Sequence, residues 1–118
     1  MIKLIVAIHR LPDMSPEAFH RHWRTQHAEL VKNSPATRKY VRKYVQCHTT
    51  PESYEQDEVA YDGTAELWFD SAADRDAFFS DPDYLATIRP DEGRFADMTR
   101  TVFFVTEEEP VFDATAAR

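Results

Sequence analysis

The chain has 118 residues, of which 42% are hydrophobic and 30% are charged, and its formal net charge is −7 at pH 7. That length fits one folded domain with one modest core, and the acidic balance argues against a nucleic-acid partner, which would need a basic face. The two glycines, Gly63 and Gly93, exclude a P-loop and a glycine-rich dinucleotide fingerprint, because both need several glycines in one turn.

Three further features narrow the class of protein. No run of about 18 apolar residues occurs, so no membrane-spanning helix is expected. The first nine residues are too short and too quickly polar for a signal peptide, and we expect a cytoplasmic protein. Cys47 is the one cysteine, which excludes a disulfide within the chain and is typical of a small buried residue in a strand.

The first half of the chain predicts a strand, a helix and a second strand. Apolar residues lie on both faces of residues 2–10, which is typical of a strand covered on two sides. Ser15 and Pro16 then start a helix that runs to about residue 31. One apolar stripe follows this helix and consists of Phe19, Trp23, His27 and Leu30. A second strand is expected at about residues 40–49.

The second half predicts two more strands and one more helix. In chain order, we expect a polar loop at 50–59, a strand at 60–70, a helix at 72–79, helical turns at 84–88 and 91–98, a strand at 101–106 and a tail at 107–118. The order β-α-β-β-α-β is that of a ferredoxin-like α+β domain with a four-stranded antiparallel sheet. We place this domain at residues 1–106.

Two helices on one side of four strands leave the other side of the sheet bare. Because that side also carries apolar residues, Ile5 among them, a second copy of the same sheet is the simplest partner for it. The sequence therefore predicts a homodimer in which two sheets pack face to face and form an α/β barrel.

His27 is the first candidate for a functional residue. It lies on an apolar helix stripe, where burial of an imidazole costs free energy unless a partner satisfies it. A core histidine bonded to a backbone carbonyl or a strand hydroxyl fits this position as well as a proton-transfer group does.

Polar side chains on two predicted strands favour a pocket beside His27. Alternation places Tyr44, Gln46 and His48 on one face of the second strand, and Glu66 and Trp68 on one face of the third. If these faces look toward the first helix, they form an apolar pocket with convergent polar groups. A pair with a lysine or arginine at a sheet edge is the competing interpretation of Glu66.

Several segments of this sequence resemble the EthD family. They are residues 1–5, 19–31, 44–46 and 61–69, together with Asp91, Glu92 and Phe95. The most specific piece is Trp23 followed, after three residues, by His27 and Ala28. The resemblance implies a dimeric ferredoxin-like α/β barrel. It also implies similarity to cofactor-free decarboxylases, dehydratases and cyclases of aromatic polyketide pathways, in which the residue matching His27 is a proposed acid/base.

The hypothesis for the site is a cofactor-independent lyase or isomerase that acts on a small aromatic or polyketide-like carbonyl compound. In it, His27 is the general acid/base, and Glu66 or Asp62 supports it. Trp23, Trp68 and Phe103 form the walls for a flat apolar ligand. Tyr44, Gln46 and His48 orient the ligand's oxygens, and no organic cofactor or metal is expected.

Two other functions stay open at this point. A non-catalytic protein that binds a small molecule of a catabolic pathway would keep the apolar pocket without tuned pKa values. A metal-dependent enzyme could use His27, His48 and Glu66 as two imidazoles and one carboxylate, and a haem enzyme could use His27 as an axial ligand.

Overall fold

A four-stranded antiparallel sheet forms one layer of the protein, as described by a computed structural model for residues 1–56 and 58–115. The strands lie in the order β2-β3-β1-β4. Their bounds are β1 Ile2–Ile8, β2 Val41–His48, β3 Gly63–Phe69 and β4 Val102–Thr106. The predicted α+β class and its β-α-β-β-α-β framework are confirmed.

Helices form the second layer. They are α1 Pro16–His22, α2 Ala28–Asn33, α3 Pro35–Tyr40, α4 Pro51–Gln56, α5 Ala72–Ser80 and α6 Arg89–Glu92. A π-helical turn, Trp23–His27, joins α1 to α2 without a break, and a second one, Tyr84–Ile88, precedes α6. Ser15 caps α1 as predicted, because its hydroxyl accepts from the backbone N–H of Ala18 at 3.1 Å.

The segment predicted as a loop at residues 50–59 contains the short helix α4, so that prediction was wrong in part. Pro51 occupies its first position, and the backbone N–H of Ser53 donates to the carbonyl of Thr50 at 3.1 Å. Residue 57 lies outside the described residues. Of the predicted tail, residues 107–115 hold no helix or strand, and residues 116–118 lie outside the described part.

The core lies between the helices and one face of the sheet. Leu4, Val6 and Ile8 of β1 face the helices and pair with Leu67, Ala65 and Gly63 of β3. The largest fully buried side chains pack against them and include Phe19, Trp23, Phe69, Phe78 and Phe95. No helix within residues 1–56 and 58–115 is long and apolar enough to cross a membrane.

The other face of the sheet carries apolar side chains without a layer above them. Ile5 lies beside Phe104 across β1 and β4, and Val102 and Phe104 are 44% and 46% exposed. Cys47 also lies on this face and is exposed, so the prediction of a buried cysteine was wrong. Side chains alternate along β2, so the Cys47 side chain lies on the face opposite to Tyr44 and Gln46, away from the core.

Gly63 allows the first helix to approach the sheet closely. A Cβ at this position would lie 2.6 Å from the Trp23 ring and 2.5 Å from the carbonyl oxygen of Cys47. Any larger residue would therefore push the indole away from the start of β3. Gly93, by contrast, has φ −71° and only one atom within 4.0 Å of its would-be Cβ.

We expect Gly63→Ala to destabilise the protein by about 1–3 kcal/mol, because overpacking displaces a buried ring and a strand carbonyl. Gly93→Ala is the matched control, since its backbone suits alanine without strain, and its effect should be neutral or slightly stabilising. Urea unfolding of both variants measures the difference. Equal stabilities for the two variants would contradict the close approach at Gly63.

Candidate functional site

A small apolar cavity lies between the helix layer and the sheet. Its volume is about 60 Å³. Most of its wall is aliphatic or aromatic, and the polar groups of five side chains interrupt that wall: His27, Tyr44, Tyr84, Glu92 and Thr101. Met98 and Phe103, which are 40% and 45% exposed, also line it and place its mouth beside β4. The arrangement is that of a ligand site, apolar with a few convergent polar groups.

His27 is held in one tautomer by a buried carboxylate. Its Nδ1 lies 2.8 Å from Oδ2 of Asp91, and both side chains are almost fully buried. A carboxylate accepts only, so Nδ1 donates and Nε2 is left with its lone pair. Within the described residues Nε2 has no hydrogen-bond partner, and the ring lines the cavity.

Asp91 also accepts a hydrogen bond from His22, whose Nε2 lies 3.0 Å from both carboxylate oxygens. Burial alone would raise the pKa of Asp91, but the hydrogen bonds from His22 and His27 outweigh it and hold the pKa below its usual value. Asp91 is therefore ionised at neutral pH. Burial lowers the pKa of His27 despite its bond to Asp91, so its ring is a neutral base.

The π-helical turn explains how His22 and His27 reach one carboxylate. Five residues along a regular α-helix rotate a side chain by about 140° away from its starting direction. In the π-helical turn the backbone N–H of Ala28 bonds to the carbonyl of Trp23, five residues back, and residues five apart come to the same side. Phe95 packs against both imidazoles, with ring centroids 5.2 Å and 4.8 Å away.

Glu92 is a second titratable group of the cavity. Burial raises its pKa to about 7, although a hydrogen bond from Tyr84 at 2.8 Å opposes this rise. The Tyr84 hydroxyl donates to the Glu92 carboxylate, and burial next to this carboxylate raises the pKa of Tyr84. Glu92 is thus partly protonated near neutral pH, which suits a proton donor.

Tyr44 presents a hydroxyl group to the same cavity. Its oxygen accepts a hydrogen bond from Nε2 of Gln46 at 3.0 Å. Burial raises the pKa of Tyr44, and hydrogen bonds from Gln46 and Trp23 oppose that rise. Because the oxygen accepts from the protein, the hydroxyl hydrogen is available to a ligand.

The structure brings together about half of the predicted site residues. Trp23 and Phe103 line the cavity with His27 and Tyr44. Gln46 and His48 lie on the same face of β2 as Tyr44, and they bond to each other at 2.8 Å. They form a layer behind Tyr44, since neither side chain lines the cavity itself.

Three predicted site residues lie elsewhere, so the predicted support of His27 by Glu66 or Asp62 and the predicted ligand wall at Trp68 were wrong. Glu66 and Trp68 are on the open face of the sheet, where Glu66 pairs with Lys3 at 2.8 Å and Trp68 donates to Glu108. The competing interpretation, a pair of Glu66 with a lysine, is the one observed, but Lys3 lies on the inner strand β1 and not at a sheet edge. Asp62 precedes β3 and accepts from Arg10 at 2.8 Å. The register of β3 explains this, because Leu67 faces Leu4 in the core and turns Glu66 away.

The same register separates the residues of the metal hypothesis. His27 and His48 lie on the helix side of the sheet, whereas Glu66 lies on the opposite side. Within residues 1–56 and 58–115 the structure contains no cluster of three or more histidine, cysteine, aspartate or glutamate side chains arranged to hold a metal ion. The proposed set of two imidazoles and one carboxylate is therefore not assembled.

Asp91, Glu92 and Tyr84 are site residues for which the sequence predicted no role. The chain separates Asp91 from His27 by 64 residues, so no local spacing connects them. The sequence did contain a usable signal, because Asp91 and Glu92 begin a predicted helical turn that also carries Phe95 and Met98. A buried position for adjacent acids requires partners, and histidines are the obvious ones in this chain.

Solved structures with similar architecture agree with this fold. An EthD family protein from Bacillus halodurans is 19% identical, with a TM-score of 0.66, and the alignment covers 92% of this chain and 100% of that one. A dimeric ferredoxin-like protein of unknown function from Bacteroides fragilis is 16% identical, with a TM-score of 0.67 and coverages of 91% and 95%. SnoaB from Streptomyces nogalater, a cofactor-independent oxygenase, is 6% identical, with a TM-score of 0.59 and coverages of 91% and 91%.

No curated protein matches the sequence significantly. The EthD domain model matches residues 11–99. This range includes the π-helical turn, β2, β3 and the acidic pair of α6, which together supply most of the cavity's polar groups. The chain belongs to the EthD family.

Proposed function

We propose that the protein catalyses a cofactor-independent proton transfer on a small carbonyl compound, with His27 as the base. The observation that carries this proposal is the Asp91–His27 pair, in which the imidazole lines an apolar cavity and its Nε2 has no hydrogen-bond partner among the described residues. A dehydration, cyclisation or isomerisation next to a carbonyl group begins with such a step, and a decarboxylation ends with a proton transfer to carbon.

His27 is the base, and Asp91 assists it. The Asp91 carboxylate fixes the tautomer and stabilises the imidazolium that forms when Nε2 takes a proton. Burial keeps the ring neutral before the reaction. A neutral imidazole in an apolar cavity is a stronger hydrogen-bond acceptor than it would be in water.

Tyr44 and Glu92 supply the complementary functions. The Tyr44 hydroxyl donates to the carbonyl oxygen of the ligand, where negative charge develops as a proton leaves the neighbouring carbon. The protonated carboxyl group of Glu92 then donates a proton to a second atom of the ligand. After one turnover His27 has gained a proton and Glu92 has lost one, so exchange with solvent resets both groups.

The cavity restricts the class of ligand. Its walls are apolar, and its volume of about 60 Å³ is small, below the roughly 150 Å³ of an engineered cavity that binds benzene. A compact or aromatic carbonyl compound therefore enters only with movement of the side chains at the mouth, Met98 and Phe103. The fold is compatible with chemistry that needs no cofactor, because SnoaB is a cofactor-independent oxygenase of similar architecture.

We also propose that the protein is a homodimer. Ile5, Val102 and Phe104 form an apolar strip on the open sheet face, and the last two are nearly half exposed in one chain. Packing of two such sheets removes this strip from water, at about 25 cal/mol for each Å² of apolar surface. The related protein from Bacteroides fragilis is described as dimeric.

The first prediction concerns His27. We expect His27→Ala to lower turnover by roughly 10²–10⁴-fold, the usual contribution of a general base. The fold should persist, because Asp91 keeps its bonds to His22 and Arg94. The measurement is exchange of the acidic C–H of small aryl 1,3-diketones in D₂O, followed by NMR.

His9→Ala is the control for this variant, since the His9 ring packs at a tilt against Tyr61 and does not line the cavity. It should leave exchange unchanged. A folded His27→Ala protein with wild-type exchange would show that His27 is a core histidine and would favour the non-catalytic binding function.

The second prediction follows from the raised pKa of Glu92. The pKa of Glu92 is 4.5 in the unfolded chain and about 7 in the folded protein. The protonated form therefore stabilises the fold fully below pH 4.5, and this stabilisation is lost as the pH rises to 7. Glu92→Gln should remove this loss. Relative to wild type, it should gain up to about 3 kcal/mol of stability between pH 4.5 and pH 8.

Urea unfolding at a series of pH values measures the difference between Glu92→Gln and wild type. Glu29→Gln is the control, because the Glu29 side chain is 65% exposed and should give a difference that does not change with pH. If the difference in free energy of unfolding between Glu92→Gln and wild type did not change with pH, Glu92 would already be ionised in weak acid.

The third prediction tests the dimer. Wild-type protein should sediment at twice the mass of one chain, and Phe104→Glu should sediment as a folded monomer because it places a charge on the apolar strip. Leu85→Glu is the control, since Leu85 is 40% exposed on the helix side. A Phe104→Glu protein that stays dimeric would exclude this face as the interface.

A further inference from the structure

A second polar cluster lies behind Tyr44, where α1, α4 and the end of β2 meet. His20 and His48 face each other with their Nδ1 atoms 2.6 Å apart. Gln46 continues the cluster toward the cavity through His48. On the other side Tyr54 connects His20 to Asp62. The hydrogen-bond partners at the two ends of this cluster determine where its protons lie.

At the cavity end, Gln46 fixes a proton on His48. The Gln46 Nε2 lies 2.9 Å from the backbone carbonyl of Trp23, which only accepts, so this nitrogen is the amide NH₂ group. The Gln46 Oε1 therefore faces Nε2 of His48 at 2.8 Å. Because this oxygen only accepts, Nε2 of His48 carries a hydrogen.

At the other end, Asp62 fixes a proton on His20. Asp62 is 3% exposed and accepts from the guanidinium and the backbone N–H of Arg10, each at 2.8 Å. Burial would raise the pKa of Asp62, but the hydrogen bonds from Tyr54 and Arg10 hold it below its usual value, so Asp62 is ionised. Tyr54 donates its hydroxyl hydrogen to Asp62 at 2.6 Å. Its oxygen therefore accepts from Nε2 of His20 at 3.0 Å.

Between these ends, the two Nδ1 atoms need one proton. Two unprotonated nitrogens 2.6 Å apart would direct their lone pairs at each other, and two protonated ones would clash. A metal ion does not fit this distance, because two Zn–N bonds of about 2.0–2.1 Å at a tetrahedral angle would separate the nitrogens by about 3.3 Å. One proton on each Nε2 and one between the Nδ1 atoms make three protons on two rings, which is a single positive charge.

The charges around the pair are consistent with one charge and not two. Asp62 and Glu17 favour the protonated form of His20, whereas Arg10 and Arg24 disfavour it. Burial lowers the pKa of His20, and burial together with Arg24 lowers the pKa of His48 to about 4. Burial therefore opposes any charge on these rings and opposes two charges most strongly. The contacts of the two Nδ1 atoms and the two Nε2 atoms nevertheless call for a third proton, and one charge spread over both rings is the least charge that satisfies every hydrogen bond.

We propose that His20 and His48 share one proton as a singly charged pair, and that the pair acts as a positioning element for the cavity. It holds Gln46 in the orientation that donates to Tyr44, so that the Tyr44 hydroxyl donates into the cavity. The first half of this proposal stands on hydrogen-bond geometry alone. The second half rests on the proposed function, because it assigns Tyr44 a ligand carbonyl.

The shared proton is tested without substrate. Long-range ¹H–¹⁵N NMR of ¹⁵N-histidine-labelled wild-type protein at pH 7 should show protonated Nε2 on both rings and one strongly downfield proton coupled to both Nδ1 atoms. That signal should disappear in His20→Ala and persist in His9→Ala. An unprotonated Nε2 on either ring would overturn the shared proton, as would stoichiometric zinc bound between the rings.

The positioning role is tested by the same C–H exchange of small aryl 1,3-diketones. His48→Leu removes the donor to Gln46 and should lower the exchange rate constant by about 10-fold at saturating diketone, less than the 10²–10³-fold typical for loss of a direct oxyanion donor. His48→Gln keeps an amide donor near the same place and should restore most of the rate. In a Tyr44→Phe background, His48→Leu should have no further effect, because both changes act on one hydroxyl.

Additive effects of His48→Leu and Tyr44→Phe, or a wild-type rate in His48→Leu, would overturn the positioning role. Failure of the proposed function has a different signature, since His27→Ala would then exchange at the wild-type rate. In that case the NMR result still decides whether the rings share a proton.

Discussion

The buried carboxylate of Asp91 is the constraint on which the arrangement of the site depends. Moving an ionised carboxylate out of water costs several kcal/mol unless partners replace its hydration. Here both of its oxygens accept from His22, and one accepts from His27. These histidines lie in the first helical segment, and Asp91 lies in α6. Their hydrogen bonds to one buried charge therefore join two separate parts of the helix layer beside the cavity.

That constraint also gives the π-helical turn a purpose. A regular helix would point His22 and His27 in different directions, and only one of them would reach Asp91. The wider turn costs helix stability, and the two hydrogen bonds to a buried charge offset it. The His27 ring is thereby fixed before any ligand arrives, which is the preorganisation that a base in an apolar site requires.

Much of the fold could be predicted from the sequence because its determinants are local. Ser15 and Pro16 mark the start of α1, and alternation in β2 separates Tyr44 and Gln46 from Cys47. Alternation tells which residues share a face, however, and not which face meets the helices. Both faces of β3 carry large apolar side chains, so only its pairing with β1 decides that Leu67 is inside and Glu66 outside. The partner of His27 was beyond local reasoning for a similar reason, because Asp91 is 64 residues away.

Polar groups lie on two sides of the apolar cavity, and different parts of the fold hold them in place. Asp91 and Glu92 belong to a short helix. Hydrogen bonds from His22 and His27 hold the pKa of Asp91 down against burial, whereas burial raises the pKa of Glu92. Tyr44 belongs to β2, an edge strand of the sheet. Gln46 fixes its hydroxyl through a chain of hydrogen bonds that ends at the ion pair of Asp62 with Arg10. The base and acid therefore sit on the helix side, where ring packing and burial tune their pKa values, while the donor sits on the sheet, where strand pairing fixes its position. An apolar wall between the two sides excludes water and strengthens both electrostatic contributions at the place where a ligand would bind.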